Sequence, residues 1–385
     1  MKKYLCEKLD KVGLKIPNIL LPNKSVDLNR FSVIAADQFT QDIGYWDKVK
    51  EYVGKAPSTI NLIYPEAELE KVLSDKNADV DAVIDEKVKK INDSMLHYID
   101  ENIYEEIGEC FIYVERYIRG KIRRGLVAAI DLEKYDYNDG AKSLIRATEK
   151  TVKERLKVRK KIRNKAHLDM PHIQVVINDK QNNVFDYIKN IKFEKPLYDF
   201  ELMLGSGHIK GYKIDNVNDI ENIADKLLKL KNDSYDNFLY AVGDGNHSLA
   251  AAKDIYNDTG RGRYALVEII NIYDDGLEFF PIHRLIIEIS KGQFEKETGI
   301  DTSEPPNLQD LQKVLDKFNY RIDYIHGKEE CLKLAKDDKN VAIVYEHFSY
   351  ETLFDDVVKY GSLCRKSFSI GEAIDKRFYL EAQKI

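Results

Sequence analysis

The sequence predicts an α/β protein with mixed sheets, and three patterns carry that expectation. An apolar run at 238–242 ends in a glycine corner, and an alanine-rich helix pattern follows at once over 249–256. Two alternating runs, 111–118 and 121–130, flank Arg119-Gly120, which is a hairpin signal. Beyond Gly292 the pattern becomes helix, strand, helix, strand, a smaller C-terminal α/β lobe. Hairpins interspersed among helices favour mixed sheets over purely parallel ones.

Taken in order, residues 31–36 are apolar and stop at Asp37, the pattern of a buried strand and a loop. Residues 44–52 suit a helix, and 59–64 a second strand stopped by Pro65. Val80, Val83, Ile84, Val88, Ile91 and Met95 recur at spacings of three and four, so 80–102 reads as a helix. A long basic helix is expected over 143–166, a strand over 173–177 and a short helix over 182–190. Gly205-Ser206-Gly207 suits a hairpin turn between 200–204 and 208–214. A helix over 217–230 leads into the 238–242 strand, and another strand follows over 264–272. In the last third, helices over 310–318 and 329–336 alternate with strands over 320–325 and 341–345, and a helix over 371–384 closes the chain. The expected division is 1–140 with the Asp37 turn, 141–290 with the basic helix and glycine corner, and 291–385 as the C-terminal lobe.

With 385 residues, 43% hydrophobic and 33% charged, the chain has material for a sizeable core and is not disordered or collagen-like. A net charge of −6 does not advertise nucleic acid or acidic lipid. The four cysteines form no CxxC pair, which leaves neither a disulfide framework nor a zinc knuckle. Residues 1–10 do not read as a signal peptide, and no apolar run approaches the roughly 18 residues of a membrane span. A cytoplasmic protein with no membrane partner is expected.

The strongest local signal is Gly243-Asp244-Gly245-Asn246-His247-Ser248, between a strand and a helix. Glycine permits positive φ and close backbone approach. Free N–H groups and the positive helix end make such a corner an anion site, above all for phosphate. Asp244 can hold a metal or orient a nucleophile, and His247 can donate or carry a proton near neutral pH. The plain alternative is an ordinary helix start, capped by Asn246 or Ser248. The Gly-Lys-Ser/Thr ending of a Walker A loop is absent.

Other segments have competing readings. Arg146-Ala147-Thr148-Glu149 places a guanidinium and a hydroxyl at a helix start, as a ligand site or as a cap with Glu149 favoured by the dipole. Residues 146–165 hold ten Lys/Arg and two Glu, a net of +8. Val152, Leu156 and Ile162 lie roughly on one side, so a solvated basic face is the bland reading and a phosphate-backbone contact the sharp one. His283-Arg284 has the chemistry to bind a carboxylate or phosphate, His172 suits a buried structural role or a ligand equally, and His208 follows the Gly-Ser-Gly turn. His97, His167, His326 and His347 have no partner pattern. Neither a Gly-x-Ser-x-Gly elbow nor a His-Glu-x-x-His pair is present, so a metal would be Mg²⁺ held by one or two carboxylates and substrate phosphates.

Together the corner, Ile145-Arg146-Ala147-Thr148-Glu149, Met170-Pro171-His172-Ile173, Phe280-Pro281-Ile282-His283-Arg284 and the Asp37 turn resemble, in order, a bacterial and archaeal family known as domain of unknown function number ten-fifteen. The corner is also similar to that of the ParB/sulfiredoxin-like fold, which includes chromosome-segregation proteins and a free-serine kinase. The resemblance implies an active core of that fold and phosphoryl transfer to a small hydroxylated metabolite, with L-serine to O-phosphoserine the specific expectation. It implies Gly245, Asn246, His247 and Ser248 as the phosphate cradle, Asp244 with His247 as further catalytic groups, Asp244 as the Mg²⁺ or substrate ligand and Asp37 as the base. Thr148, Glu149, His208 and His283 are the candidate substrate contacts. Asn246 and Ser248 stand where the family pattern has histidine and arginine. Losing that arginine removes a bidentate phosphate clamp, which Arg284 or Arg146 would have to replace. The donor stays open among ATP, ADP and pyrophosphate. Two rival readings are a phosphoserine phosphatase with the same site and a nucleotide-dependent, ParB-like DNA-binding protein using Arg155 and Arg159.

Overall fold

The computed structural model describes residues 3–40, 42–75, 79–151 and 153–385. Ten strands form one large sheet: β1 (Leu14–Lys15), β2 (Phe111–Ile118), β3 (Lys121–Asp131), β4 (Tyr135–Asp136), β5 (Ile145–Ala147), β6 (Gln174–Ile177), β7 (Tyr198–Glu201), β8 (His208–Ile214), β9 (Tyr240–Asp244) and β10 (Tyr264–Asn271). Their order is β7-β8-β2-β3-β10-β6-β9-β5-β4, with β1 beside β3. β6 runs parallel to β10, and β5 parallel to both β9 and β4. The other pairings are antiparallel, so the sheet is mixed. The β2–β3 hairpin turns at Arg119 and Gly120, whose φ values of 48° and 78° suit a two-residue hairpin turn.

Period-two alternation sorts the strand residues onto two faces. Phe111, Tyr113, Leu126, Ala128, Ala265, Val267 and Ile269 face one side and bury Leu5 and Leu9 of the first helix together with Ile220, Ile223 and Leu227 of the helix Val217–Asp233. The alternate residues Ile112, Val114, Val127 and Leu266 face the other side, against helix α1 (Val80–Asp100) and the N-terminal segments. That second face continues into buried Arg116, Arg123, Gln174 and Glu268. A Cβ at Gly125 would lie 2.2 Å from Glu268 Oε1, so glycine there leaves room for the carboxylate. Arg377 closes over it, with Nη1 3.4 Å from Glu268 Oε2 and Nη2 bonded to Glu381. Breaking a buried pair by removing one partner costs about 3–5 kcal/mol. The network therefore holds residues 375–381 firmly against the sheet.

A second, antiparallel sheet comprises β11 (Phe279–Ile287), β12 (Arg321–His326), β13 (Asn340–Ile343) and β14 (Phe368–Ile370), with β11 between β12 and β13 and β14 beside its start. Phe294, Leu311 and Leu315 pack beneath Ile286, Val341 and Ile343. Among the described residues no helix is long and apolar enough to cross a membrane.

Four expected elements differ. Residues 31–36 end a short helix, Leu28–Phe31, and then run extended, bridging Ile34 to Phe378 rather than joining a sheet. Residues 59–64 contain the 3₁₀ turn Thr59–Leu62, capped by Ser58. The basic segment is β5 followed by helix α2 (Lys153–Asn164), while Val152 lies outside the described residues. The expected C-terminal helix is a 3₁₀ turn, Ala373–Asp375, followed by an extended tail bridging Leu20 to Ala382 and pairing Gln383 with Asp169. Phe378, Tyr379, Leu380 and Ala382 are all buried. A segment buried all round carries no one-sided period that would distinguish strand from helix.

Candidate active site

β9 ends at Asp244, and Gly245 (φ 82°) starts helix α3 (Asn246–Thr259). A Cβ at Gly245 would come within 2.9 Å of the Ile173 side chain, and one at Gly243 within 2.6 Å of Ile370 Cδ1. Both glycines therefore permit close packing, and Gly245 also permits the left-handed turn. The Asn246 side chain accepts from Thr148 N at 3.2 Å and donates to Val242 O at 3.2 Å, tying the corner to the end of β5. Asp244 accepts from Gly245 N at 3.0 Å, and its other oxygen lies 3.3 Å from buried Lys376 Nζ. Ala250 and Ala251 let α2 pack closely through Leu156.

This corner forms one wall of a cavity of about 400 Å³. Asp37, Gln38, Glu66, Glu149 and Arg159 line it, together with Tyr324, His326, Arg365, Lys366 and Lys376 from the C-terminal third. The turn after Asp37 places Phe39 at φ 51°, where its ring stacks on Tyr45 with centroids 3.7 Å apart. Arg159 Nε donates to Ser248 Oγ at 3.2 Å, and its Nη2 is bonded to Glu66. Ser248 Oγ also lies 2.9 Å from His172 Nε2. Burial pulls the His172 imidazole below its ordinary value, against the opposing pull of Asp37. A neutral ring can accept the Ser248 proton while Ser248 accepts from Arg159. Burial alone would raise the Asp37 carboxyl, but His172, Arg159, the Gln38 amide and Lys376 together hold it below the usual carboxylate value. Glu149 goes the other way: burial raises it against the opposing bonds from the Lys366 and Ser367 amides.

A second cavity, about 390 Å³, adjoins the first. Leu62, Ile63, Leu69, Met95, Val158 and Ile162 give it predominantly apolar walls. Asp37, Glu66, Arg159 and Ser248 line both cavities.

The structure thus brings Asp37, Glu149, Asp244, Gly245, Asn246, His247 and Ser248 to one cavity. Five expected cavity residues are not among its lining, and each has a local reason. Arg146 is buried over the Phe238 ring and donates to Ser143 O and Asp236 O. Thr148 is buried and donates to Val242 O at 2.6 Å. His283 is buried and accepts from Tyr345 N. His208 lies on β8 between Asp199 and Glu201. Arg284 likewise does not line the cavity: it donates to Ile282 O, Lys366 O and Arg365 O, bracing the loop that carries the two C-terminal cations. Arg159 instead reaches Ser248 from α2.

Sequence reasoning also missed Glu66, Arg365, Lys366 and Lys376 and gave His326 no role, although it lines the cavity beside Glu372 at 2.9 Å. Arg159 sits in the basic run, where charge alone does not single it out; Lys376 lies far along the chain with no motif around it. Lys160 pairs with Asp254 and Asp258, Lys161 with Asp81 and Asp85, and Arg163 with Asp169. These partners favour the structural reading of the basic helix over a nucleic-acid contact. The side chain of Arg155 lies outside the described residues. Among the described residues no three His, Cys, Asp or Glu side chains could together hold a metal. Asp244, the expected Mg²⁺ ligand, has Lys376 as its counter-charge, so the residues present do not form a ready-made metal centre.

A family model described as "Protein of unknown function (DUF1015)" matches residues 20–350. No functionally curated protein matches the chain. Among solved structures, the chain is similar to a conserved hypothetical protein from Pyrococcus furiosus (12% identity, 67% of this chain and 94% of that one, TM-score 0.34). It is also similar to a free serine kinase in complex with AMP (13%, 66% and 90%, TM-score 0.36). A third is SbnI with C-terminal truncation from Staphylococcus aureus (13%, 64% and 82%, TM-score 0.36). The family model spans most of the sequence, and the chain belongs to that family.

Proposed function

From the site described above in a member of the DUF1015 family, we propose phosphoryl transfer from a polyphosphate donor to the hydroxyl of a small metabolite, with L-serine the acceptor that the sequence resemblance implies. The observation that carries this reading is the grouping of an ionised carboxylate, a helix N-terminus and separately anchored cations around one 400 Å³ cavity. Phosphoryl transfer needs a cradle, charge neutralisation and a base, and little covalent help from the protein.

The Gly245 corner and α3 N-terminus cradle the phosphate, with the helix dipole favouring its charge. Arg159, Lys366 and Lys376 supply positive charge where negative charge grows on the transferring group. The acceptor hydroxyl attacks the terminal phosphorus, the bond to the bridging oxygen breaks, and the hydroxyl proton passes to Asp37. A carboxylate held below its ordinary pKa is a weak base, which suits a loose transition state in which the proton moves late. ATP, ADP and pyrophosphate all satisfy this chemistry.

Phosphorus NMR on the full chain with Mg²⁺ and L-serine, offered each donor in a separate tube, tests the reading. Phosphoserine in one tube, lost in an Asp37→Asn variant, is expected. Three tubes with no phosphoserine and no protein-dependent change in any donor resonance would overturn it.

A further inference from the structure

We infer that the apolar cavity receives the apolar substituent of an acceptor, so that the site takes, beyond serine, alcohols that carry an aliphatic arm. The inference rests on the phosphoryl-transfer reading and names the substrate class of that site. Asp37, Glu66, Arg159 and Ser248 line both cavities and so form the neck between them. The glycine corner and Lys376 belong to the polar side, where the phosphates would sit. In-line transfer sets the attacking oxygen opposite the leaving oxygen. With Asp37 taking the hydroxyl proton at the neck, the rest of the acceptor extends away from the phosphates. On that side Leu62, Ile63, Leu69, Met95, Val158 and Ile162 form the greater part of the wall, with Glu70, Arg163, Asp169 and His172 also on the lining.

Size and chemistry agree with an aliphatic arm. An apolar cavity of about 150 Å³ holds benzene, so one of about 390 Å³ has room for a chain of roughly ten carbons. Methionine and leucine walls adapt to a flexible chain. The reaction balances without another reagent: the alcohol oxygen bonds to the donor's terminal phosphorus, the donor loses that phosphoryl group, and Asp37 takes the proton.

The test is calorimetric titration of the full chain with 1-butanol, 1-hexanol and 1-octanol, followed by phosphorus NMR of each alcohol with ATP, ADP and pyrophosphate. Affinity should rise roughly fourfold per added methylene, with a negative heat-capacity change, and the alkyl phosphate should form from one donor. Leu69→Trp, which fills the cavity, should weaken octanol binding at least tenfold while leaving donor resonances unchanged. Leu73→Trp, at a position that is 56% exposed on the same lining, provides a variant less exposed to folding loss and should weaken octanol in the same direction. Affinity independent of chain length, or unaffected in both folded variants, would overturn the inference, and phosphoserine formation would still report on phosphoryl transfer. Chain-length-dependent binding with no alkyl phosphate from any donor would overturn the acceptor role, while the L-serine tubes would separately decide the phosphoryl-transfer reading.

Discussion

The two walls of the polar cavity are built in opposite ways. The corner wall is local: Asp244 to Ser248 are consecutive, and Asn246 ties them to Val242 on β9 itself and to Thr148 just past the end of neighbouring β5. The opposite wall is assembled from the far end of the chain. Lys376 reaches Asp244 because Arg377 is held on the sheet by Glu268 and Glu381, while Arg365 and Lys366 sit on a loop braced by Arg284. A local wall can be specified by a motif, whereas a distant one needs a folded core to deliver it. The corner supplies backbone amides and glycine geometry, and the opposite wall supplies charge.

Substitutions can separate the two contributions, beginning with the residue that stands between them. Asp37→Asn should lower transfer by about 10²–10⁴-fold with donor binding nearly unchanged, measured as initial rate of phosphate-ester formation. Lys376→Met should lower it by about 10²–10³-fold and weaken the donor too, because it removes a preorganised cation and leaves Asp244 uncompensated. Arg159→Lys keeps the charge but not the fork that joins Ser248 to Glu66. Losing one charge-assisted hydrogen bond costs about 1.5–3 kcal/mol, so the donor dissociation constant should rise roughly tenfold or more. Asn246→Ala leaves Thr148 N without its side-chain acceptor and should cost about 1–2 kcal/mol of stability by denaturant unfolding, mainly through the corner wall.

The smallest effect is a pH slope. The His172 pKa is depressed in the fold, so the unfolded chain binds the proton more readily between the two values. Stability from this group is therefore present above about pH 6.5 and is lost as pH falls toward the folded value. Thermal melts of the wild type should drop as pH falls below about 6.5. His172→Gln should show a shallower drop, and His283, also depressed, should account for part of what is left.

The local wall was legible because a strand, two glycines and a helix pattern lie together in about twenty residues, and the family resemblance ordered the remaining motifs around it. The mixed sheet was legible for the same reason, through the 111–130 hairpin and the 238–256 unit. The distant wall was not. Phe378 to Ala382 reads as a helix in a sequence because a segment buried on all sides has no polar face to set its period. Phe31 to Ala35 reads as a sheet strand because its partner is that same tail. Arg146 and Arg284 looked like the missing clamp on residue type alone. Burial against backbone carbonyls decides otherwise, and that cannot be read from a dipeptide.

The claim that both walls make one phosphate site is tested most directly by titrating ATP, ADP and pyrophosphate into the wild type, Gly245→Val and Lys376→Met, following the phosphorus resonances. The account predicts a saturable shift for at least one donor in the wild type and its loss or strong weakening in both variants, although their substitutions lie 131 residues apart in sequence. A donor that binds Lys376→Met as tightly as the wild type, while Gly245→Val abolishes binding, would contradict the two-walled site and leave the corner alone as the phosphate ligand.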